Sequence, residues 1–344
     1  MIEVSTIGLD LAKNVFQVHG ISDDDTVVIR RRLRRAEVVT FFSRLPPCLV
    51  GMEACATSHY WARELGQLGH EVRMIPPRYV KPYVKRGKND ALDAEAICEA
   101  VQRPSMRFVP LKTAEQQGAL VIHKTRDLLV RQRAILVNAL RSHLAEFNII
   151  VAKDIGNAPQ LAAVVRDETD RRVPTTARSA LVTVVDSIDA LSRRIKVLET
   201  RIRHWHRANL ASQRLATIPG IGSITATAIA ATVPDPKAFR SGRHFAAWLG
   251  LTPQQNCTGG KERLGRISKQ GNTYIRRLLF IGAVGVVRYA RRRSPLEEWI
   301  RHLLERRPTR LVTIALANKL ARIAWAILAH DQNYRAGQPV VASD

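Results

Sequence analysis

The first 110 residues alternate strand and helix patterns in an order that few folds accommodate. Three strands open the chain, and the short connections between them predict an antiparallel meander. A helix, a strand, a helix, a strand and a further helix follow, bounded by proline or polar turn residues. We expect strands at residues 4–11, 15–21, 26–32, 48–52 and 71–75, and helices at residues 36–45, 58–68 and from 90 onward.

Acidic side chains stand at corresponding places in this order. Asp10 lies near the end of the first strand, Glu53 follows the fourth, and Asp90 and Asp93 open the last helix. Positions i and i+3 share a helix face. On its own, such a pair is explained more simply by Asp90 capping the helix and Asp93 facing solvent. The order β-β-β-α-β-α-β-α is that of ribonuclease H-like folds, which bring these places to one sheet edge. Four carboxylates there can hold two Mg²⁺ ions about 3.5 to 4 Å apart, with Mn²⁺ as a substitute.

Long helical patterns replace the strands beyond Pro110. Residues 113–147 are apolar at helical spacing and rich in arginine, and residues 178–207 carry apolar side chains three and four positions apart. That spacing predicts a heptad seam, either an intermolecular coiled coil or a helix hairpin within one chain. The seam residues are Leu181, Val184, Ile188, Leu191, Ile195, Leu198, Ile202 and Trp205.

The last third of the chain is predicted to be mostly helical. Pro219-Gly220-Ile221-Gly222 between two helical patterns is typical of a helix-hairpin-helix, in which Gly220 and Gly222 would let backbone N–H groups approach a phosphate; a tight turn without a ligand is the alternative. Residues 250–271 are expected to form a polar loop bearing Lys261, Arg263, Arg266 and Lys269. The predicted class is α/β plus all-α, with domains at 1–110, 111–212 and 213–344.

The charge balance restricts the partners. The 54 Lys and Arg residues outnumber 30 Asp and Glu residues, and the net charge of +24 predicts a polyanionic partner, nucleic acid. No apolar run is expected to reach the ~18 residues needed to span a bilayer, so a cytoplasmic location and no membrane are predicted. The four cysteines are scattered and form no zinc or disulfide pattern.

Several motifs together resemble the DEDD-type insertion-sequence transposases of the IS110 and IS1111 family, which includes the Piv-type DNA invertases. The sequence of residues 259–269 favours the IS1111 branch, and the resemblance covers about nine tenths of the chain. The motifs are Ile7-Gly8-Leu9-Asp10, Gly51-Met52-Glu53-Ala54, Lys88-Asn89-Asp90-Ala91-Leu92-Asp93, Ile218-Pro219-Gly220-Ile221-Gly222, and Leu249-Gly250-Leu251-Thr252-Pro253 through Asn272.

The resemblance implies a RuvC-like domain with a DEDD metal site, a coiled-coil connector, and a C-terminal transposase domain with a nucleophilic serine. Asp10, Glu53, Asp90 and Asp93 would be the metal ligands. Such proteins recombine donor and target DNA under the guidance of a structured bridge RNA, and they act as homo-oligomers, dimers or tetramers.

The nucleophile position departs from the family pattern. Relatives carry serine before the glycine pair, whereas this chain has Cys257 and Thr258 before Gly259-Gly260. We favour Cys257 as the equivalent position, with Thr258 as the alternative and Ser268 as the next candidate. A thiol or hydroxyl could attack phosphorus and hold a DNA end. Lys261, Arg263 and Arg266 would then steady the phosphate.

Two other functions remain open at this point. One is a RuvC-like metal-dependent junction nuclease, whose C-terminal domain only grips DNA. The other is a non-catalytic nucleic-acid-binding protein. Mg²⁺-dependent strand joining would separate the recombinase from the nuclease, and any cleavage would exclude the third function.

Overall fold

The computed structural model describes residues 3–84, 90–258, 261–290 and 294–336. At Asp90, Ile155, Cys257, Thr258 and residues 261–264 it describes the backbone alone. The chain forms two compact units, residues 1–113 and 114–344. The finer division of the second unit into a connector and a C-terminal domain stays a prediction.

The first unit is built on a five-stranded mixed sheet in the order β3-β2-β1-β4-β5. β1 pairs antiparallel with β2 and parallel with β4, and β4 pairs parallel with β5. The meander of the first three strands is as the sequence predicted, although β3 ends two residues later than expected. The strands are β1 Thr6–Asp10, β2 Val15–Ile21, β3 Val27–Arg34, β4 Leu49–Glu53 and β5 Glu71–Ile75.

Helices cover both faces of this sheet. One face packs its apolar residues against the first two helices through Phe16, Phe42 and Trp61, and α4 lies on the other face. The helix expected at residues 36–45 is shorter than predicted, because a 3-10 turn at Arg35–Glu37 precedes it and Pro46-Pro47 follows it. The helices are α1 Val38–Phe42, α2 Ser58–Gln67, α3 Pro77–Val80 and α4 Asp90–Val101.

Most of the predicted seam is buried within the chain, and Val184, Leu198 and Trp205 are half-buried. It lies on the long helix α7, which packs against α5, and Leu181 and Ile188 share one apolar cluster with Val137, Leu140 and Leu144 of α5. The seam is therefore an intrachain hairpin, the second of the two predicted alternatives. The helices of this part are α5 Ala114–Ala145, α6 Ala158–Arg166 and α7 Thr175–Ala208.

A second apolar cluster forms between the remaining helices of this unit. Phe245, Leu279 and Leu316 are buried there with less than a hundredth of their surface exposed. The helices are α8 Leu210–Leu215, α9 Ser223–Thr232, α10 Gly242–Trp248, α11 Thr273–Tyr289, α12 Pro295–Leu304 and α13 Thr309–His330.

The expectation of a loop at residues 250–271 is wrong. This stretch contains two antiparallel strands, β6 Pro253–Thr258 and β7 Lys261–Ile267. Their sequence is polar and does not alternate, so the usual strand signal is absent. The Gly259-Gly260 dipeptide between them, of a type favoured in two-residue hairpin loops, was the available signal.

One helix, α13, is long and apolar enough to cross a bilayer by length and composition, contrary to the sequence expectation. Within the described residues it is the only such helix. Val312, Leu316 and Leu320 of α13 are almost completely buried in the second unit. The apolar composition of α13 is therefore that of a core helix.

Candidate active site and nucleic-acid interface

Two neighbouring glycines fix the position of α4 on the sheet. Gly8 of β1 pairs with Gly51 of β4. A Cβ atom on Gly8 would lie 2.0 Å from the carbonyl oxygen of Ala94, and one on Gly51 would lie 2.7 Å from the Cβ of Val101. Any larger residue at these positions would push the helix away, so the glycines set α4 directly on the two strands.

Three of the four predicted carboxylate residues are described, and they lie at one edge of this arrangement. Asp10 and Glu53 each follow one of the glycines by two residues, and side chains two apart on a strand leave the same face. Because Leu9 pairs with Met52, Asp10 and Glu53 are the next neighbours at the carboxyl ends of β1 and β4. Both therefore leave the face on which α4 lies, and Asp93 stands in the first turn of α4.

The charges at this edge act on one another. Partial burial raises the pKa of the Glu53 carboxyl, and the negative charge of Asp93 raises it further. This repulsion places Glu53 and Asp93 within electrostatic range. The backbone of Asp90 begins the same helix, and its side chain lies outside the described residues.

The donor chemistry at this edge fits a hard divalent cation, because carboxylate oxygens are the ligands that Mg²⁺ prefers. A cation between Glu53 and Asp93 would also remove their repulsion. Within the described residues, however, no group of three or more His, Cys, Asp and Glu side chains is close enough together to hold a metal. The described carboxylates thus supply part of a ligand set, and the predicted role of all four stays a prediction.

The two buried cysteines of the first unit, Cys48 and Cys98, do not contribute to this chemistry. Burial raises the pKa of Cys48 to about 11 and that of Cys98 to about 12, which keeps both thiols protonated at neutral pH. Cys98 is a residue of α4 and packs against Gly8 of β1. These two thiols are packing groups.

The predicted nucleophile positions lie at the closed end of the β6–β7 hairpin. The backbone of Cys257 pairs with Glu262, and that of Thr258 pairs with Lys261. The side chains of all four residues lie outside the described part of the chain. Ser268 follows the opposite end of β7, six residues beyond the partner of Cys257 and so about 20 Å away along the strand; it and the Cys257 region therefore cannot serve one site on this hairpin.

A basic groove of about 1500 Å³ opens in the second unit. Seven cationic side chains and no acidic side chain are among the described residues that line it. Arg266 and Lys269, predicted from the sequence, belong to this set, whereas the side chains of Lys261 and Arg263 lie outside the described part. The cationic residues are Arg243, Arg266, Lys269, Arg310, Lys319, Arg322 and Arg335.

Lys319 of this groove lies against an aromatic ring. Its Nζ lies 4.3 Å from the centre of the Trp299 ring, a cation–π contact. Burial lowers the pKa of Lys319, and the nearby charge of Arg322 lowers it further. Cations crowded together without a counter-charge favour an anionic ligand, and the ring provides a surface on which a base can stack.

The predicted helix-hairpin-helix turn has a packing role at one of its glycines. Gly220 has φ of +86°, and a Cβ atom there would lie 2.8 Å from a methyl of Val286. Gly282 of α11 approaches the same turn so closely that its own Cβ would lie 2.0 Å from the Gly220 carbonyl oxygen. Packing on α11 thus accounts for Gly220. Gly222 faces open space before α9, and a phosphate contact there stays a prediction.

Comparison with known proteins identifies the family. Residues 7–149 match the DEDD-type IS110 transposase family, and residues 212–297 match the family described as Transposase IS116/IS110/IS902. A probable family 20 transposase of Pseudomonas aeruginosa is 51% identical over 97% of this chain and 99% of its own length.

Two insertion-sequence proteins are also similar over their whole lengths. The IS1328 transposase of Yersinia enterocolitica is 40% identical over 95% of this chain and 97% of its own. The IS1111A transposase of Coxiella burnetii is 37% identical over 98% of this chain and 93% of its own length. Pilin gene-inverting proteins are more distant relatives. The chain therefore belongs to the IS110/IS116/IS902 family of insertion-sequence transposases.

Proposed function

We propose that this transposase cuts and rejoins DNA strands at a divalent-metal site formed by Asp10, Glu53, Asp90 and Asp93. The supporting observation is the convergence of Asp10, Glu53 and α4 on one sheet edge, together with the raised pKa of Glu53 beside Asp93. Mg²⁺ is the expected ion, and Mn²⁺ should replace it. When bound, the ion would position a nucleophile and neutralise charge on the phosphodiester in transit.

The strand-joining step requires a nucleophile, and we assign it to Cys257, with Thr258 as the alternative. The Cys257 sulfur or the Thr258 oxygen would bond to phosphorus while the P–O bond to one strand breaks. The released strand oxygen takes up the proton that the thiol or hydroxyl loses. The new S–P or O–P bond to the protein replaces the broken ester bond, so the hydroxyl of a second strand can attack phosphorus, give its proton to the departing nucleophile and restore the ester without an external energy source.

The nucleic-acid partners in this proposal are donor DNA, target DNA and a structured bridge RNA. The basic groove supports the contact with a phosphate backbone, because such contacts depend on Lys and Arg and do not depend on sequence. DNA sequence would be selected by base pairing to the RNA, as the family resemblance implies. The protein would work in the cytoplasm as a homo-oligomer, on surfaces other than the α7 seam.

Strand exchange with purified protein, Mg²⁺ and bridge RNA tests this proposal. We expect Glu53→Gln and Asp93→Asn to abolish joining, because each removes one carboxylate charge from the proposed metal site. Glu99→Gln is the matched control, since Glu99 lies on the same helix and pairs with Arg103 instead. Full joining by Asp93→Asn in the presence of a chelator would refute the metal site. Full joining without RNA would refute the role of the bridge RNA.

Trapping of covalent protein–DNA adducts separates recombinase from junction nuclease. Adducts should disappear in Cys257→Ala and survive in Thr258→Ala, and the reverse result would assign Thr258. Adducts in both variants would place the nucleophile elsewhere. Hydrolysis without any adduct would favour the nuclease, and binding without cleavage would favour the non-catalytic function.

A further inference from the structure

The four arginines of the edge strand β3 lie on both faces of the sheet. Ile29 and Leu33 point into the apolar core, and Arg31 lies between them on the same face, with its guanidinium 5.5 Å from the centre of the Phe41 ring. By alternation, Arg30, Arg32 and Arg34 leave the opposite face. All four arginines are exposed. We call Arg30, Arg32 and Arg34 the arginine row.

The strand register brings the arginine row level with the candidate active site. Arg32 pairs with Gln17 of β2, and Gln17 pairs with Asp10 of β1. Neighbouring strands are about 4.8 Å apart, so the Cα atoms of Arg32 and Asp10 are about 10 Å apart. Arg34 pairs with Val15 and Arg30 pairs with His19. These two arginines therefore lie two residues to either side of Arg32 along β3.

The arginine row and the carboxylates also share a face. Gly8 and Gly51 identify the face covered by α4, because a Cβ on either would meet that helix. Asp10 and Gly8 lie two apart on β1, and their partners Gln17 and His19 lie two apart on β2. The same face therefore runs from Glu53 through Asp10 and Gln17 to Arg32.

The side chains of the row form no ion pairs within the described residues, and the Glu37 carboxylate accepts the backbone N–H of Arg34 at 2.6 Å. Among the ion pairs of the described residues, none includes Arg30, Arg32 or Arg34. Arg30 and Arg34 are four residues apart, which spans about 14 Å of strand. The row is therefore long enough for its arginines to contact separate phosphates. Guanidinium groups bind phosphate in a bidentate manner, which suits such a row.

We infer that the arginine row binds the DNA backbone beside the scissile phosphodiester and directs that strand across β3 and β2 to the Asp10–Glu53 edge. This inference rests on the proposed function of that edge. The arginines would act as positioning residues: they hold phosphates one or two nucleotides away and do not touch the reacting atoms. Arg32 and Arg34, nearest the carboxylates, should contribute most.

The salt dependence of DNA binding tests the inference without catalysis. A labelled mixed-sequence DNA duplex is titrated with the full chain at several salt concentrations in the presence of a chelator. Each lost phosphate contact lowers the slope of log K against log salt by about 1. We expect that decrease for Arg32→Gln and for Arg34→Gln, and about twice as much for the double variant. Arg32→Lys, which keeps the charge, should retain the slope.

Arg31→Gln is the matched control, because it removes the same charge from the same strand on the opposite face. Its slope should remain that of the unchanged protein, and thermal unfolding should show that all variants fold. An equal loss of slope in Arg31→Gln and Arg32→Gln would mean that only bulk charge matters, which would overturn the inference. An unchanged slope in the Arg32/Arg34 double variant would overturn it as well.

Cleavage kinetics separate the failure of this inference from the failure of the proposed function. A positioning role predicts that the double variant raises KM for DNA more than it lowers kcat, whereas loss of a carboxylate lowers kcat. If the unchanged protein does not cleave DNA with Mg²⁺ and bridge RNA, the proposed function fails and the salt slopes still decide where DNA lies. If it cleaves and the double variant matches it in KM and slope, the arginine row has no such role.

Discussion

A buried histidine in the second unit should make the stability of that unit strongly dependent on pH. His123 of α5 is 1% exposed. Its Nδ1 lies 3.1 Å from the Tyr274 hydroxyl of α11, and its Nε2 lies 2.9 Å from Oγ1 of Thr227 on α9. The Thr227 hydroxyl donates to the carbonyl oxygen of Ser223 at 2.7 Å, so Oγ1 accepts from Nε2–H. Nδ1 then accepts from Tyr274, and the neutral imidazole is fully hydrogen-bonded.

The structure gives the size and direction of the effect. Burial, and then the charge of Arg126, lowers the pKa of His123 from 6.5 to about 4. The unfolded chain therefore binds a proton at a higher pH than the folded chain does. The contribution is fully present above pH 6.5 and is lost as the pH falls toward 4. The loss reaches about 3 kcal/mol below pH 4, and most of it has occurred by about pH 4.5.

Urea unfolding of the second unit at pH 7.5 and at about pH 4.5 measures this loss. His123→Gln cannot titrate, so its stability should fall by about 2.5 kcal/mol less than that of the unchanged protein between the two pH values. At pH 7.5 the variant should already be about 2 kcal/mol less stable, because it loses part of the hydrogen-bond network. His143→Gln, on an exposed position of the same helix, is the control. Equal pH dependence in the unchanged protein and His123→Gln would refute the buried neutral histidine.

Three further changes have defined outcomes. In a thermal unfolding assay, Gly8→Ala should lower the free energy of unfolding by about 3 kcal/mol, because its Cβ would overlap the Ala94 carbonyl. Gly66→Ala, with open space around it, should leave this free energy unchanged or raise it by up to about 1 kcal/mol. Ile188→Asp should lower the free energy of unfolding by several kcal/mol, because it buries a charge. Light scattering should show no folded particles smaller than those of the unchanged protein. Val197 is 54% exposed on the same helix, so Val197→Asp should have little effect. Lys319→Gln should lower the salt slope of DNA binding by about 1, and Lys196→Gln, exposed on α7, should not; equal slopes would exclude the groove as a binding surface.

The sequence predicted those elements whose side-chain period is strong. The bounds of β2 are those expected, because alternation on Val15–Ile21 leaves little choice. The β6–β7 hairpin was missed because those of its side chains that the structure describes lie outside the core, so burial imposes no period on them. The seam was found, but its partner was not, since heptad spacing is the same within one chain and between two.

Some of the site residues could likewise be predicted from the sequence, and others could not. Asp10 and Glu53 could be placed from strand order alone, because the carboxyl ends of adjacent parallel strands meet at one edge. The groove could not be foreseen: Arg243, Arg266 and Lys319 come from separate segments and meet only through helix packing. The arginine row could have been found from alternation on residues 27–34, but its level with Asp10 depends on the register of three strands.

Direct measurement of Mn²⁺ binding tests the central claim that the Asp10–Glu53–α4 edge is a metal site. In calorimetric or electron paramagnetic resonance titrations, the unchanged protein should bind Mn²⁺ saturably, and Mg²⁺ should compete. Glu53→Gln and Asp93→Asn should each lose most of this affinity, and Glu99→Gln should keep it. Equal Mn²⁺ binding by all four proteins, or no saturable binding by the unchanged protein in the presence of DNA, would contradict the account.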